Sequence, residues 1–566
     1  MFGILLLWLA FSPLQPVAPK PEAVRQEQLH TNGVQPLTQN NLESNPVAEK
    51  IRTHFKQLLT RKSPEGGRAR ELFNIRFAQF YEARGYQPVW TKPAMITELI
   101  SAVEAAGDDG LDSRDYHLQE IREYFQKPPA TPELQACYDL LLSDTFLTLA
   151  SHLHYGKVDP VSLDTNWNLS NAASRTAWEL RLQNALASEQ VSAILKELRP
   201  QHPKYELLRK GLARYRAIAR SGGWHGVSDG PPLKEGMRDS RVQQLRRRLE
   251  ASGWLVAAKA PASQLYNREV AEGVKRFQES CGMKPDGVAG VATLKMLNIP
   301  LERRIEEIRI NLERYRWFLG DLGPTYVMVN IASFTLHYVE NNSFKWGTRV
   351  IVGKPARETP IFKADMQYIV FNPQWVIPPT ILGKDALPAI RKSRSYLATK
   401  KLSVIDRNGH QVDPESVNWS QYSGANFPYR LQQSSGDHGA LGRIKFMLPN
   451  PHVVYLHDTP TKDLFEKSSR TFSSGCIRVE NPLDLAELVL QDSVKWSGER
   501  IREAIDRGKT STVYLPKRIP VFILYMTAVA KGDTVIFLED VYNRDDTVLK
   551  ALNKPVPQYK MESCGL

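Results

Sequence analysis

Cysteine is scarce in this chain: 566 residues contain four, Cys137, Cys281, Cys476 and Cys564, with no Cys-x-x-Cys pair. The spacing indicates neither a thiolate zinc site nor a disulfide framework, and it leaves a lone cysteine as a candidate nucleophile. Long apolar runs are also lacking. Phe2 to Phe11 has the length of a signal-peptide core and is too short to span a bilayer. The run Ile519 to Ala530 contains Pro520 and reads as a strand. Glycine (34) and proline (37) are too few for a fibrous chain, and 42% hydrophobic with 24% charged residues excludes a disordered one. No P-loop, RNP-like run or zinc spacing points to nucleic acid, so no nucleic-acid partner is expected. The surplus of 74 basic over 61 acidic residues, +13, suits a polyanion, and an anionic cell-envelope polymer fits it as well as a nucleic acid.

The length predicts three or four domains. Residues 1–20 read as a signal or anchor segment, with a possible membrane tether, although no Lys or Arg precedes Lys20 and Pro16-Val17-Ala18 is a poor cleavage site. A buried N-terminal element is the alternative. Residues 45–221 carry apolar positions at helical spacing, such as Leu140, Leu141, Leu147 and Leu153, and read as an all-helical scaffold domain. Its last helix, Tyr205 to Arg220, sets Leu208, Leu212 and Tyr215 opposite Arg209, Lys210, Arg214, Arg216 and Arg220; this basic face is expected to be solvated, with a polyanion site as the alternative. Ser221 to Pro232 is a linker by composition.

Residues 233–300 form a compact three-helix unit, with Val242, Leu245 and Leu249 on one stripe and Val270, Val274 and Phe277 on the next. Thr293 is expected to cap the last short helix. Over 322–545 the period changes to short Val-, Ile-, Tyr- and Phe-rich runs, among them Gln367 to Phe371, Val453 to Leu456, Thr512 to Leu515 and Val521 to Met526, which read as strands. An insertion at 374–436 interrupts them, and long insertions on a β scaffold often serve as lids or binding loops. The fold class expected is multidomain α+β.

One segment concentrates chemistry: Tyr455-Leu456-His457-Asp458, then Ser473-Ser474-Gly475-Cys476-Ile477-Arg478. A cysteine attacks as thiolate, so it needs a base or a positive charge nearby. His457 can be that base if the intervening loop folds back to bring the two together. Gly475 permits close backbone approach, so the main-chain N–H groups around Gly475 and Cys476 could line an oxyanion hole, and Ser474 belongs to the same candidate catalytic turn. Arg478 would favour thiolate or hold a substrate carboxylate. Each residue has a structural alternative, a buried apolar Cys, a satisfied His, an ion-paired Arg, and their conjunction favours catalysis.

The run from His457 to Val479 resembles the signature of the L,D-transpeptidases with a YkuD-type catalytic domain. Val352-Gly353-Lys354 with Thr359-Pro360-Ile361-Phe362, Asn372 to Pro379, and Ala440-Leu441-Gly442 are further matches. Residues 233–300, with Asp286-Gly287-Val288, Gly290 and Thr293-Leu294, resemble the helical peptidoglycan-binding module of cell-wall enzymes. Tyr86 to Trp90, Gly110-Leu111, Asp115-Tyr116-His117 and Gly156 to Pro160 are similar to the scaffold of the large periplasmic members of Gram-negative bacteria. The resemblance implies a β-rich catalytic domain with a capping subdomain at 374–436, location in the periplasm or cell envelope after export, and peptidoglycan stem peptides and glycan as partners. It implies that Cys476 attacks the third residue of a donor tetrapeptide, expels D-Ala, and leaves a thioester resolved by a second stem's side-chain amine, a 3-to-3 cross-link. His457 moves the proton and 374–436 excludes water. Tyr455 binds donor or supports the oxyanion, or is a packed aromatic; Trp375 is a cap or substrate contact, or a core residue. No cofactor and no metal is expected. A wall-binding scaffold without catalysis and a sortase-like thiol transpeptidase are the competing functions; intact His457 and Cys476 oppose the first, and the Ser-Gly-Cys-x-Arg turn the second.

Overall fold

The computed structural model of the chain describes residues 45–60, 75, 77–165, 167–169, 178–256, 263–532 and 534–556. The expected signal or anchor segment at 1–20 lies outside the described residues. No helix among those described is long and apolar enough to cross a membrane.

The helical region is built round the helix Pro132–Tyr155, which is apolar on almost every side; Leu140, Leu141, Leu142, Phe146, Leu149 and Ala150 are all buried. A helix apolar all round must be surrounded. Helices Pro46–Thr60, Pro93–Ala105, Leu118–Gln126 and Trp178–Ser188 enclose it and share its core. The Thr131 hydroxyl caps its first turn by accepting from the Leu134 N–H, and Gly156 ends it. Cys137 within it is disulfide-bonded, which the cysteine spacing did not suggest.

The basic helix runs Pro203–Arg220, and its basic face is divided: Lys210, Arg214 and Arg220 are exposed, as a solvated face requires, while Arg209 and Arg216 turn to partners inside the protein. Arg209 and Arg199 meet buried Asp109 at 2.9 and 2.8 Å, Arg214 donates to the Ser252 carbonyl, and Arg216 to that of Gly107. A buried carboxylate such as Asp109 requires partners of opposite charge.

The 233–300 unit consists of helices Arg241–Ala251, Arg268–Ser280 and Val291–Leu297 round Leu233, Val242, Leu245, Val270, Val274 and Leu297. Thr293 lies inside the last helix, whose cap position is Gly290, and its hydroxyl accepts from Gln278 at 3.1 Å. Gln278 also bonds Gly287, Val288 and Asp286, which fixes the Asp-Gly-Val loop.

Helix Leu301–Phe318 then joins the α and β parts. Glu313 accepts from the Val158 N–H at 2.7 Å and pairs with Arg316, while Asn311 and Arg314 bind Thr527 and Asp545. A Cβ at Gly156, whose φ is +93°, would lie 2.4 Å from Glu313 Oε1, so the Gly156-Lys157-Val158 run is the docking point for this helix.

The β part begins with β1 (Tyr326–Asn330), β2 (Thr335–Glu340), β3 (Ser343–Gly353) and β4 (Phe362–Phe371). The insertion supplies β5 (Trp375–Val376), β6 (Leu402–Ile405), β7 (Gln411–Val412) and β8 (Arg430–Gln433). Next come β9 (Ile444–Met447), β10 (Leu456–His457), β11 (Thr471–Ser473), β12 (Ile477–Val479), β13 (Ser511–Leu524), β14 (Ala528–Lys531) and β15 (Thr534–Phe537). The main sheet runs β11-β3-β12-β10-β9-β4-β13-β1-β2, and a β2–β3 pairing closes it on itself, which removes most free edge. The two runs expected at 512–515 and 521–526 belong to one strand, β13, with a register shift between Tyr514 and Ile519. The run at 453–456 is a strand only from Leu456; Val453 has φ +57°. The insertion forms its own sheet, β5-β8-β6-β7, over its own core of Leu387, Ile390, Val404, Trp419 and Leu431.

Candidate functional site

Strands β9, β10 and β12 lie side by side, with Leu456 paired to Phe446 and to Ile477. These three side chains are buried in the sheet's core, so the alternate residues face the other way. That outward face carries Lys445 on β9, His457 on β10 with Tyr455 just ahead of the strand, and Arg478 on β12 with Cys476 just ahead of it. In register, His457 pairs with both Lys445 and Arg478, and the Ile477 N–H donates to the Tyr455 carbonyl at 3.1 Å, which sets Tyr455 beside Cys476.

Tyr455 stands beside the thiol, and hydrogen bonding from its hydroxyl and backbone N–H favours the thiolate. The Val453 carbonyl is 3.9 Å from Sγ. Burial nonetheless pushes the Cys476 thiol above its usual range, against those hydrogen bonds and the charges of Lys445 and Arg478. His457 is buried and its pKa is lowered to about 3, first by desolvation and then by the neighbouring Arg478. Its Nδ1 lies 2.5 Å from the Asp458 carbonyl. A carbonyl only accepts, so Nδ1 carries the proton and Nε2 offers a lone pair. The resting pair is therefore a neutral thiol and a neutral imidazole. The two share one face at adjacent register steps, with the Tyr455 and His457 rings 5.7 Å apart, and no hydrogen bond joins them directly among the described contacts. Catalytic hydrogen bonds are often incomplete before substrate binds.

Asp458 is itself fixed. Its carboxylate accepts from the Arg443 N–H at 2.8 Å and from Lys462 at 2.6 Å. A Cβ at Gly442, φ +58°, would come within 2.3 Å of that carboxylate, so the Ala440-Leu441-Gly442 run is needed for His457 to be held as it is.

The cysteine turn shows which assignments need correcting. The Gly475 N–H, assigned to an oxyanion hole, donates to the Ser473 hydroxyl at 3.1 Å and is used up. The Cys476 N–H has no partner among the described hydrogen bonds and remains available. Ser473, which sequence reasoning passed over, also donates to the Cys476 carbonyl at 2.5 Å and pins the turn. Ser474 is exposed and accepts from Arg357 at 3.2 Å. Thr359 donates to the Gly475 carbonyl at 2.8 Å and accepts from the Gly353 N–H, and the Tyr542 hydroxyl bonds both Gly353 and Thr359. Thr359 stands in a quoted motif, and only the closed sheet reveals what it touches.

Among the described residues Arg478 forms no ion pair. One guanidinium nitrogen donates to Thr461 at 3.1 Å, Nε is buried without a partner, and burial lowers its pKa. The insertion reaches the site at two points: the Trp375 side chain on β5 comes near enough to the Tyr455 hydroxyl to favour its ionised form, and Asp385 pairs with Arg357 at 2.6 Å beside Ser474. Among the described residues no group of His, Cys, Asp and Glu could hold a metal ion.

Three family models match the chain: "Scaffold domain" at 76–212, "Putative peptidoglycan binding domain" at 238–297, and "L,D-transpeptidase catalytic domain" at 324–534. A protein of Haemophilus influenzae named "Putative L,D-transpeptidase" is 35% identical over 219 residues, which is 39% of this chain and 44% of that protein, so the match spans less than half of the relative. An L,D-transpeptidase from Mycobacterium smegmatis is 12% identical over 36% of this chain and 58% of its own, with a TM-score of 0.17. One from Xylanimonas cellulosilytica is 12% identical over 52% and 99%, with a TM-score of 0.16. Scores that low carry no argument about this fold. The chain is thus a multidomain α+β protein in which a YkuD L,D-transpeptidase catalytic domain, containing Cys476 and His457, is joined to a scaffold domain and a peptidoglycan-binding domain.

Proposed function

We propose that this protein is a cysteine-dependent L,D-transpeptidase of the cell envelope or periplasm that joins peptidoglycan stem peptides through 3-to-3 cross-links. The observation that carries the reading is the arrangement of Cys476, Tyr455 and His457 on one sheet face, with Nδ1 of His457 tied to the Asp458 carbonyl, inside the matched catalytic domain. Stem peptides and glycan are the partners, and the 233–300 unit is the second point of attachment to them.

In the acylation step His457 Nε2 takes the thiol proton as Sγ bonds to the carbonyl carbon of the donor's third residue. The Cys476 N–H and the Tyr455 hydroxyl are the donors available to the developing oxyanion. Collapse breaks the C–N bond, and the imidazolium returns the proton to the departing D-Ala amine. The acceptor amine then attacks the thioester, loses a proton to His457, and the sulfur leaves as the regenerated thiol. The insertion, anchored through Trp375 and Asp385, keeps water from the thioester. Arg478 receives the donor's C-terminal carboxylate.

Incubation of the purified protein with muropeptides, followed by mass spectrometry, tests the reading. Wild type and Cys281→Ala are expected to form 3-to-3 dimers, and Cys476→Ala none. Dimers from folded Cys476→Ala would exclude the thioester route.

A further inference from the structure

The peptide unit between Gly475 and Cys476 carries two groups that bear on the reaction. Its carbonyl, that of Gly475, accepts from the Thr359 hydroxyl at 2.8 Å, and its N–H, that of Cys476, has no partner among the described hydrogen bonds and is a donor open to the developing oxyanion. The unit is planar and trans, so the carbonyl and the N–H point in opposite directions, and whatever holds the one aims the other. Thr359 is in turn held by a ring of three hydrogen bonds. The Gly353 N–H donates to the Thr359 hydroxyl at 2.9 Å, the Thr359 N–H to the Tyr542 hydroxyl at 3.2 Å, and the Tyr542 hydroxyl to the Gly353 carbonyl at 2.5 Å. Tyr542 is buried, and burial raises its pKa, so the phenol keeps the proton that it donates.

Tyr542 follows the last strand, β15, and stands outside the matched catalytic domain at 324–534. Its ring stacks on that of Tyr525, with centroids 5.7 Å apart and planes 18° from parallel, and its N–H donates to the Tyr525 hydroxyl at 2.8 Å. Asp540 accepts from that hydroxyl and from the N–H groups of Arg544 and Asp545, and Asp545 pairs with Arg314 of the helix Leu301–Phe318. Arg544 adds a second clamp, a salt bridge at 2.5 Å to Glu358, the residue before Thr359. We infer that Tyr542 is a positioning residue of the transpeptidase reaction: through Thr359 it sets the Gly475–Cys476 peptide so that the Cys476 N–H is aimed at the oxyanion. The inference rests on the transpeptidase reading above and extends the site to the segment 540–545. The competing role is a packed tyrosine that stabilises the fold and leaves the cysteine turn unaffected.

Acylation by a synthetic stem tetrapeptide, read by intact mass, and alkylation by iodoacetamide, read on the Cys476 peptide, separate the two roles, because alkylation develops no oxyanion. Tyr542→Phe keeps the stacked ring and removes the hydroxyl. It is expected to lower the maximal acylation rate about tenfold, part of the loss that deleting an oxyanion donor outright produces, with the half-saturating donor concentration and the alkylation rate unchanged. Since Tyr542 acts through Thr359, Tyr542→Phe combined with Thr359→Val is expected to be no slower than Thr359→Val alone. Arg544→Gln opens a partly exposed ion pair and spares the buried ring, and is expected to show the same split at about two- to threefold. Wild-type acylation by folded Tyr542→Phe overturns the inference, as does wild-type acylation by Arg544→Gln should Tyr542→Phe not fold. A fall in acylation and alkylation together, which marks a change at the thiol, also overturns it, and so do losses that add in the double variant. No acylation of folded wild type removes the transpeptidase reading itself, and Tyr542's assignment with it.

Discussion

The Thr359 hydroxyl donates to the carbonyl of Gly475 at 2.8 Å while accepting from the Gly353 N–H at 2.9 Å, so one side chain from the β3–β4 connection holds the turn that presents Cys476. Both backbone groups are buried. Thr359→Val keeps the shape and leaves both without a partner, at about 1–3 kcal/mol for each buried group. The variant is expected to melt earlier and to acylate more slowly, whereas Thr359→Ser restores both. A Thr359→Val protein with wild-type melting and acylation would show that the turn is held by Ser473 alone.

His457, with a pKa of about 3, is neutral throughout the neutral range, and burial holds the Cys476 thiol above its ordinary value. The thiolate fraction therefore rises with pH beyond neutrality, and no loss of base on the acid side is expected until pH approaches 3. Acylation by a β-lactam that mimics the donor carbonyl is expected to increase with pH through a single ionisation. His457→Gln is expected to lower the rate about 100-fold or more, the usual contribution of a general base, with native circular dichroism. Wild-type acylation at every pH in the folded variant would exclude the base role.

Arg357 links the insertion to the cysteine turn, pairing with Asp385 and donating to Ser474. The pair is partly exposed, so its loss is expected to change stability by about 1 kcal/mol or less. The effect is expected in partitioning: Arg357→Gln and Asp385→Asn should raise the ratio of hydrolysed to cross-linked product, because a looser cap admits water to the thioester. Product ratios from mass spectrometry measure this directly. An unchanged ratio in both variants would show that water is excluded elsewhere.

Cys476, His457 and Arg478 were legible in the sequence because their chemistry sits in two short runs with few alternative uses. Lys445 was not, although Ile444 and Phe446 alternate with it and a strand reading of that tetrad would have put it opposite the core. Thr359, Arg357 and Ser473 act through backbone groups and through pairings far apart in sequence, which become neighbours only when the sheet closes through β2 and β3. The basic helix misled in part: Arg209 looks like one more residue of a surface stripe until Asp109, a hundred residues earlier, is folded beneath it. Periodicity identifies which face is apolar, but it cannot report that part of a charged face is covered by a segment distant in sequence.

Buried histidines predict how the whole protein responds to acid. His152 and His457 have pKa values lowered to about 3 and His337 to about 4, each first by burial, against an ordinary value of 6.5. In the unfolded chain these imidazoles take up protons as pH falls through 6.5, while the folded protein cannot follow until about pH 4 or 3. Between those limits the unfolded state binds more protons, so stability is greatest above pH 6.5 and declines as pH falls, by up to about 1.4 kcal/mol per pH unit for each histidine. Asp139 acts in the opposite sense, since burial raises its carboxyl to about 6 and the folded state gains protons before the unfolded one does. One carboxyl offsets part of the contribution of three imidazoles and does not reverse it. Melting temperature is therefore expected to fall between pH 7 and pH 4.5, and His152→Asn, which loses the contact with the Tyr116 hydroxyl but cannot take up a proton, is expected to flatten that fall while lowering stability at pH 7. Parallel melting curves for wild type and His152→Asn across the range would show that His152 is not among the groups responsible.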